Sequence, residues 1–311
     1  MPLGRPKISI VGAGTVGTAA AHWLASHHLG DIVLTDIVEG LPQGKALDIL
    51  QAGPIAGFDC RLMGSNDYAD TANSDVVIVT AGVPRKPGMT REELLDTNAG
   101  IVRGVVEQVV PRSPDAVYII LTNPLDAMTY VAYRASGLPR ERVIGQSGAL
   151  DSTRFRALLA MEIGVSVRDV DAMVIGAHTD KDMVPLASLA SVRGMPVSRL
   201  LPPERLEAIV ARTRRAGAEI TELMKASGFT AAGAALCEMT EAIVRDRKRV
   251  IPCCFYLDGE YGERDVCVGV PVVLGAGGVE RVLELPLSDP ERTAFRASVA
   301  AIRELLGGVR V

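Results

Sequence analysis

The chain opens on a short apolar run, KISIV (7–11), and the pattern returns at DIVLTD (31–36), CRLMG (60–64), DVVIVTAG (75–82), AVYIILTN (116–123) and RVIGQ (142–146). These are unalternating apolar stretches, as expected of parallel strands covered on both faces. Between most of them lie helical patterns: GTVGTAAAHWLASHH, LPQGKALDILQAG, TREELLDTNAGIVRGVVEQVV and PLDAMTYVAYRASG. The alternation predicts an α/β fold, with a Rossmann doubly wound parallel sheet of about six strands in residues 1–147.

From LDSTRFRALLAMEIGV onward the rhythm changes. That helix leads to DVDAMVIGAH and MVPLASLASVRGMPVS, which read as strands, and then to the long charged helix PPERLEAIVARTRRAGAEITELM. A helical stretch around AALCEMTEAIVRD, the β-rich segment VIPCCFYLDGEYGERDVCVGVPVVLGAGGVERVLEL and a closing helix SDPERTAFRASVAAIRELL complete the chain. Strands mixed with flanking helices predict a second, α+β domain over residues 148–311, which would carry catalysis and substrate binding. With no low-complexity linker between them, the two lobes are expected to pack tightly.

Composition narrows the function classes. The 33 basic and 37 acidic residues leave a net charge of −4, which gives no electrostatic case for a nucleic-acid or anionic-membrane partner. No window reaches the roughly 18 apolar residues of a membrane span. The N-terminus runs straight into a glycine motif rather than a secretory or transit pattern, so a cytoplasmic location is expected. Cys60, Cys237, Cys253, Cys254 and Cys267 lack metal-ligand spacing and read as small buried hydrophobes in a reducing compartment.

GAGTVG (12–17) is a G-x-G-x-x-G motif, weak alone but here set between a strand and a helix, with Asp36 closing the next strand. Gly12 permits the tight turn, Gly14 lets the backbone approach a pyrophosphate, and Gly17 lets the helix pack against the strand. The helix N-terminus over Ala13, Thr15 and Val16 would hold the phosphates. Asp36 suits a ribose diol and repels a 2′-phosphate, so NAD is favoured over NADP. The candidate cofactor set also takes in Thr80, Ala81, Gly82, Asn98, Thr122 and Asn123.

A cofactor fold does not name a reaction. The loop VPRKPGMTREELL carries Arg85 and Arg91, whose guanidinium forks suit carboxylates, although a solvated basic loop would look the same. Asn123 ends a strand at the carboxyl edge, where ligands bind in open α/β sheets. Asp151 and Arg154 lie three apart on one helix face, where they could pair with each other or serve a site. His178, Asp180 and Asp182 in IGAHTDKDMVP leave three readings open: a metal site, a proton relay or a polar turn. Metal is the weakest, because successive same-face residues of a strand stand roughly 6.6 Å apart and three short side chains cannot easily converge.

Taken together, GAGTVG, LTDI, VPRKPGMTR, LTNPLDAMTY, GQSGALDSTRFR, IGAH with MVPL, and VGVPVVLGAGGVERVLEL resemble the lactate/malate dehydrogenase family over nearly the whole length. The resemblance implies reversible oxidation of (S)-malate to oxaloacetate with NAD, a place in the tricarboxylic acid cycle and a homodimer or homotetramer. It implies that His178 moves the hydroxyl proton and that Asp151 fixes its tautomer. Arg154 would hold the carboxylate beside the reacting carbon, Arg91 would polarise the ketone oxygen, and Asn123 would contact substrate and cofactor. Arg85 stands where the family carries arginine for malate and typically glutamine for lactate. Three arginines against Asp151 leave two surplus positive charges, matching a dicarboxylate; pyruvate would leave one cation unpaired, which costs several kcal/mol.

The sequence departs from the family pattern twice. Family members place the methionine four steps after the histidine; here the step from His178 to Met183 is five and Thr179 replaces a glycine. Asp180 keeps the usual spacing to the histidine. At KASGFTAAGAAL (225–236) small residues stand where relatives often carry tyrosine and proline, and the segment is about one residue short. Both changes are expected to border one pocket. A lactate or other 2-hydroxy acid dehydrogenase, an NAD-using glycosidase with a metal, and an NAD-binding regulator without catalysis remain the alternatives.

Overall fold

The computed structural model describes residues 4–84 and 88–308, with the backbone alone for Arg91. Six parallel strands come first: β1 (Lys7–Val11), β2 (Asp31–Thr35), β3 (Leu62–Ser65), β4 (Val76–Val79), β5 (Val117–Ile120) and β6 (Val143–Gly145). They lie in the order β3-β2-β1-β4-β5-β6, which reverses direction between β1 and β4. Four helices connect them: α1 (Thr15–Ser26), α2 (Leu41–Ala56), α3 (Arg91–Val109) and α4 (Leu125–Ser136). Alternate residues of each strand feed different cores. Ile8, Ile78 and Ile119 join the cluster that includes α1 residues, and Val77, Val79, Tyr118 and Ile120 join the one with α3 and α4. Burial on both faces is why the strands read as continuous apolar runs.

The rest of the chain forms α5 (Gly148–Ile163), the short strands β7 (Val170–Asp171), β8 (Val174–Gly176), β9 (Met183–Pro185), β10 (Ser191–Val192) and β11 (Met195–Pro196), and then α6 (Pro203–Met224) and α7 (Thr230–Val244). The long strands β12 (Arg249–Asp258) and β13 (Arg264–Gly275) follow, with β14 (Gly278–Val282) and α8 (Asp289–Leu306). MVPLASLASVRGMPVS is broken into three short strands, β9, β10 and β11, with a loop and a tight turn between them. The second lobe also has less independence than expected. β12 pairs with β6 at Cys254 and Gly145, so β12, β13, β8 and β9 extend the first sheet in antiparallel fashion. α7 closes the same seam from above: a Cβ on Gly233 would come within 2.9 Å of the Ala19 carbonyl carbon on α1.

Candidate active site

The glycine motif is the turn from β1 into α1. Gly12 has φ +111°, and a Cβ on Gly17 would sit 1.9 Å from the Gly12 carbonyl oxygen, so the helix can start this close only with glycine there. Gly14 has open space where a Cβ would go, and α1 begins with no side-chain cap and no acid in its first turn. Free N–H groups of Thr15 and Val16 and the positive end of the helix therefore face outward, which suits a pyrophosphate. At the end of β2, Asp36 accepts from the Ala13 N–H through Oδ2 (2.7 Å) and from the Val38 N–H through Oδ1 (3.0 Å), tying the ribose end of the groove to the glycine turn.

The remaining cofactor candidates build the rim. Thr80 Oγ1 donates to the Gly12 carbonyl (3.0 Å) and Thr122 Oγ1 to the Ala81 carbonyl (2.6 Å). A Cβ on Gly82 would reach Thr122 Cγ2 at 2.5 Å. Buried Asn98 receives the Val83 N–H and donates to the carbonyls of Val83 and Asn123. Arg85 lies outside the described residues. Thr90 and Glu93 form a reciprocal cap that fixes the start of α3, so the Arg91 backbone opens that helix, while its side chain lies outside the description.

Across the groove, β8 and β9 pair as a hairpin with Gly176 opposite Met183, and His178 sits in the connecting loop. His178 Nδ1 is 2.7 Å from Asp151 Oδ2, and Arg154 Nη1 donates to Asp151 Oδ1 at 2.8 Å. Asp151 therefore pairs with Arg154 through one oxygen and reaches His178 through the other. Because a carboxylate only accepts, Nδ1 carries the proton and Nε2 is the ring nitrogen left for chemistry. The Asp151 side chain is 2 % exposed, against 16 % for His178 and 17 % for Arg154, so the pair opens toward the cavity from an anchored base. Burial disfavours the imidazolium, but the carboxylates of Asp151 and Asp126 outweigh it, raising the His178 pKa above the ordinary 6.5. The buried Arg154 Nε has no hydrogen-bond partner among the described residues, leaving guanidinium capacity for an anion.

His178 and Arg154 line a cavity of about 220 Å³ together with Val16, Asn123 and Gln146, with Asp151 buried behind them. Asp180 reaches it from the histidine loop and Met183 from the start of β9, with Ser227 and Gly228 from the segment joining α6 to α7 and Ala232 from α7, so the two departures from the family pattern do share one pocket. The extra residue is taken up locally. Thr179 Oγ1 bonds Asp182 Oδ2 (2.9 Å) and receives the Asp182 N–H (3.0 Å), and the Met183 N–H returns to the Thr179 carbonyl (3.1 Å). Asp182 thus caps a turn, and among the described residues no three His, Cys, Asp or Glu side chains gather as a metal would need. His22, His27 and His28 belong to α1 and its C-terminal end, with the His27 ring 5.8 Å from that of Trp23.

One residue at this site escaped the sequence reading. Asp126, in the first turn of α4 and only 4 % exposed, accepts the main-chain N–H of His178 at 2.8 Å. Burial pushes its pKa up to about 6, opposed by the His178 N–H and imidazole and by the Cys254 thiol, while Asp151 adds to the rise. The available signal was a lone carboxylate inside the apolar run of LDAMTYV.

Residues 6–145 match the NAD-binding domain of lactate/malate dehydrogenase and residues 148–307 its alpha/beta C-terminal domain. The chain is 58% identical over 299 residues to a malate dehydrogenase of Roseiflexus castenholzii, covering 96% of each chain. It is 54% identical to one of Desulforudis audaxviator, covering 99% of each. Among solved structures it is similar to the apo malate dehydrogenase of Picrophilus torridus, with TM-score 0.95, 45% identity and coverage of 98% and 97%. The lactate dehydrogenase of Cryptosporidium parvum, solved with lactic acid and nicotinamide adenine dinucleotide, superposes with TM-score 0.94 at 41% identity, covering 99% and 100%.

Proposed function

The chain belongs to the lactate/malate dehydrogenase family and interconverts malate and oxaloacetate with NAD; from that premise we propose how its residues divide the work. The observation that carries the proposal is the buried Asp151 carboxylate, which holds His178 through one oxygen and Arg154 through the other, at a cavity that Val16 of α1 also lines. In malate oxidation His178 Nε2 takes the hydroxyl proton, and Asp151 stabilises the imidazolium that results. In oxaloacetate reduction the same nitrogen returns it. Arg154 fixes the carboxylate next to the reacting carbon, Asn123 orients the substrate, and Arg91 and Arg85 supply the cations carried by the sequence VPRKPGMTREELL. NAD supplies the hydride acceptor and, as NADH, the donor; Gly12 to Gly17 and Asp36 hold its pyrophosphate and ribose, with Thr80 to Gly82, Asn98 and Thr122 shaping the rim.

The lactate alternative is not favoured, because the relatives at 54% and 58% identity are malate dehydrogenases. The functional divide falls at 147/148, between β6 and α5. Homo-oligomerisation is supported by Leu47, Leu50 and Ile55, which leave an apolar face of α2 exposed. Among the described residues no helix is long and apolar enough to cross a membrane. Work in the reducing cytoplasm accords with five free, buried cysteines, and a place in the tricarboxylic acid cycle accords with malate and oxaloacetate as substrates. The test is substitution of His178 by asparagine, with NADH binding measured beside turnover. The expected result is retained binding with activity lower by roughly 10²- to 10⁴-fold; activity near that of the unsubstituted enzyme would remove His178 from the reaction.

A further inference from the structure

Asp126 has no task in the reaction as described. An acid in the first turn of a helix often serves only the helix dipole, but a solvent-exposed carboxylate does that without the cost of burial. Here one oxygen faces the His178 N–H, while the other, also buried, has no hydrogen-bond partner among the described residues. The main chain just before His178 is held in the same way from the opposite side, by Ser298 of α8, whose Oγ accepts the Ala177 N–H at 2.6 Å. A neutral serine is enough there. An asparagine could make the Asp126 contact equally well, so what calls for explanation at Asp126 is the charge.

We propose that Asp126 is a positioning residue for His178: its carboxylate pins the histidine main chain, and its negative charge, added to that of Asp151, sets the proton affinity of the imidazole. This rests on the reading of His178 as the proton carrier. The groups facing Asp126 are His178 from the β8–β9 loop, Asp151 from α5 and the Cys254 thiol from β12, with Cys267 of β13 behind that thiol. Burial raises the Cys254 pKa well above its ordinary value, so the thiol stays neutral. With a neutral imidazole, Arg154 against Asp126 and Asp151 leaves one surplus negative charge, and a proton on His178 cancels it. The cluster thus favours the imidazolium needed to reduce a ketone.

Asp126→Asn keeps a hydrogen-bond acceptor and removes the charge. In protein carrying ¹⁵N-histidine, where only four histidines contribute, the resonance absent from His178→Asn identifies the imidazole concerned. Its titration midpoint should fall by about one pH unit in Asp126→Asn. The acid limb of kcat/KM for malate oxidation should fall with it, as should the alkaline limb of oxaloacetate reduction, whose loss at neutral pH should lie in kcat rather than KM. An unchanged imidazole midpoint overturns the inference. A midpoint that moves without the rate profiles overturns the role of His178 instead and leaves Asp126 acting on its proton affinity. Should the variant not fold, the unsubstituted protein decides, because its His178 resonances must then register the titration of a neighbouring carboxyl as well as that of the imidazole. A single-group curve overturns the inference.

Discussion

Asp151 offers one oxygen to His178 and the other to Arg154, so a single buried carboxylate orients both the proposed proton carrier and the proposed anchor for the substrate. Asp151→Asn has one acceptor and one donor where two acceptors are needed, so it disturbs the imidazole tautomer or strands the guanidinium. We expect kcat/KM in both directions to fall by roughly 10²-fold or more, since misplaced general acid/base chemistry loses that much. Losing the charge also lowers the His178 pKa, so oxaloacetate reduction should lose activity at a lower pH than in the unsubstituted enzyme; a pH profile at saturating NADH checks the direction. Arg85→Gln should cost oxaloacetate far more than pyruvate, and steady-state rates on the two substrates test it, equal losses counting against the charge argument. The grouping of His178, Asp151 and Arg154 is legible through the family resemblance: spacing alone puts Asp151 and Arg154 on one helix face and leaves His178 open between a metal site, a proton relay and a polar turn. Asp126 was not legible, because it lies 52 residues from its partner and sits where a helix-dipole role would be unremarkable.

At the scale of elements, the parallel half was readable because burial on both faces writes itself into each strand as an apolar run. The join between the lobes was not, since the pairing of β12 with β6 depends on contacts far apart in sequence. The extra residue after His178 was visible as a spacing change, but its outcome depends on the Thr179 and Asp182 bonds that absorb it between β8 and β9. The element most sensitive to a single methyl group is α1. Gly17→Ala must push the helix off the Gly12 carbonyl, and overpacking of this kind costs about 1–3 kcal/mol. Calorimetry should show a lower Tm and titration a weaker affinity for NAD, whereas unchanged binding would detach α1 from the cofactor.

At the scale of the whole molecule, the proposed homo-oligomer would bury the exposed apolar face of α2 that carries Leu47, Leu50 and Ile55. Leu47→Asp with Leu50→Asp should convert the assembly to monomers in sedimentation velocity, and an unchanged assembly would move the interface elsewhere. Charge ties the site together. Counting Arg85 and Arg91 with Arg154, as the family resemblance implies, three arginines and a protonated His178 against Asp126 and Asp151 leave two positive charges, which a dianionic keto acid cancels and a monoanion does not. The most direct test follows NADH loss with oxaloacetate and with pyruvate under identical conditions. A preference for oxaloacetate in kcat/KM of about 10³-fold or more is expected of a site that would otherwise keep an unpaired cation. Equal turnover of pyruvate, or no turnover of oxaloacetate despite bound NADH, would contradict it.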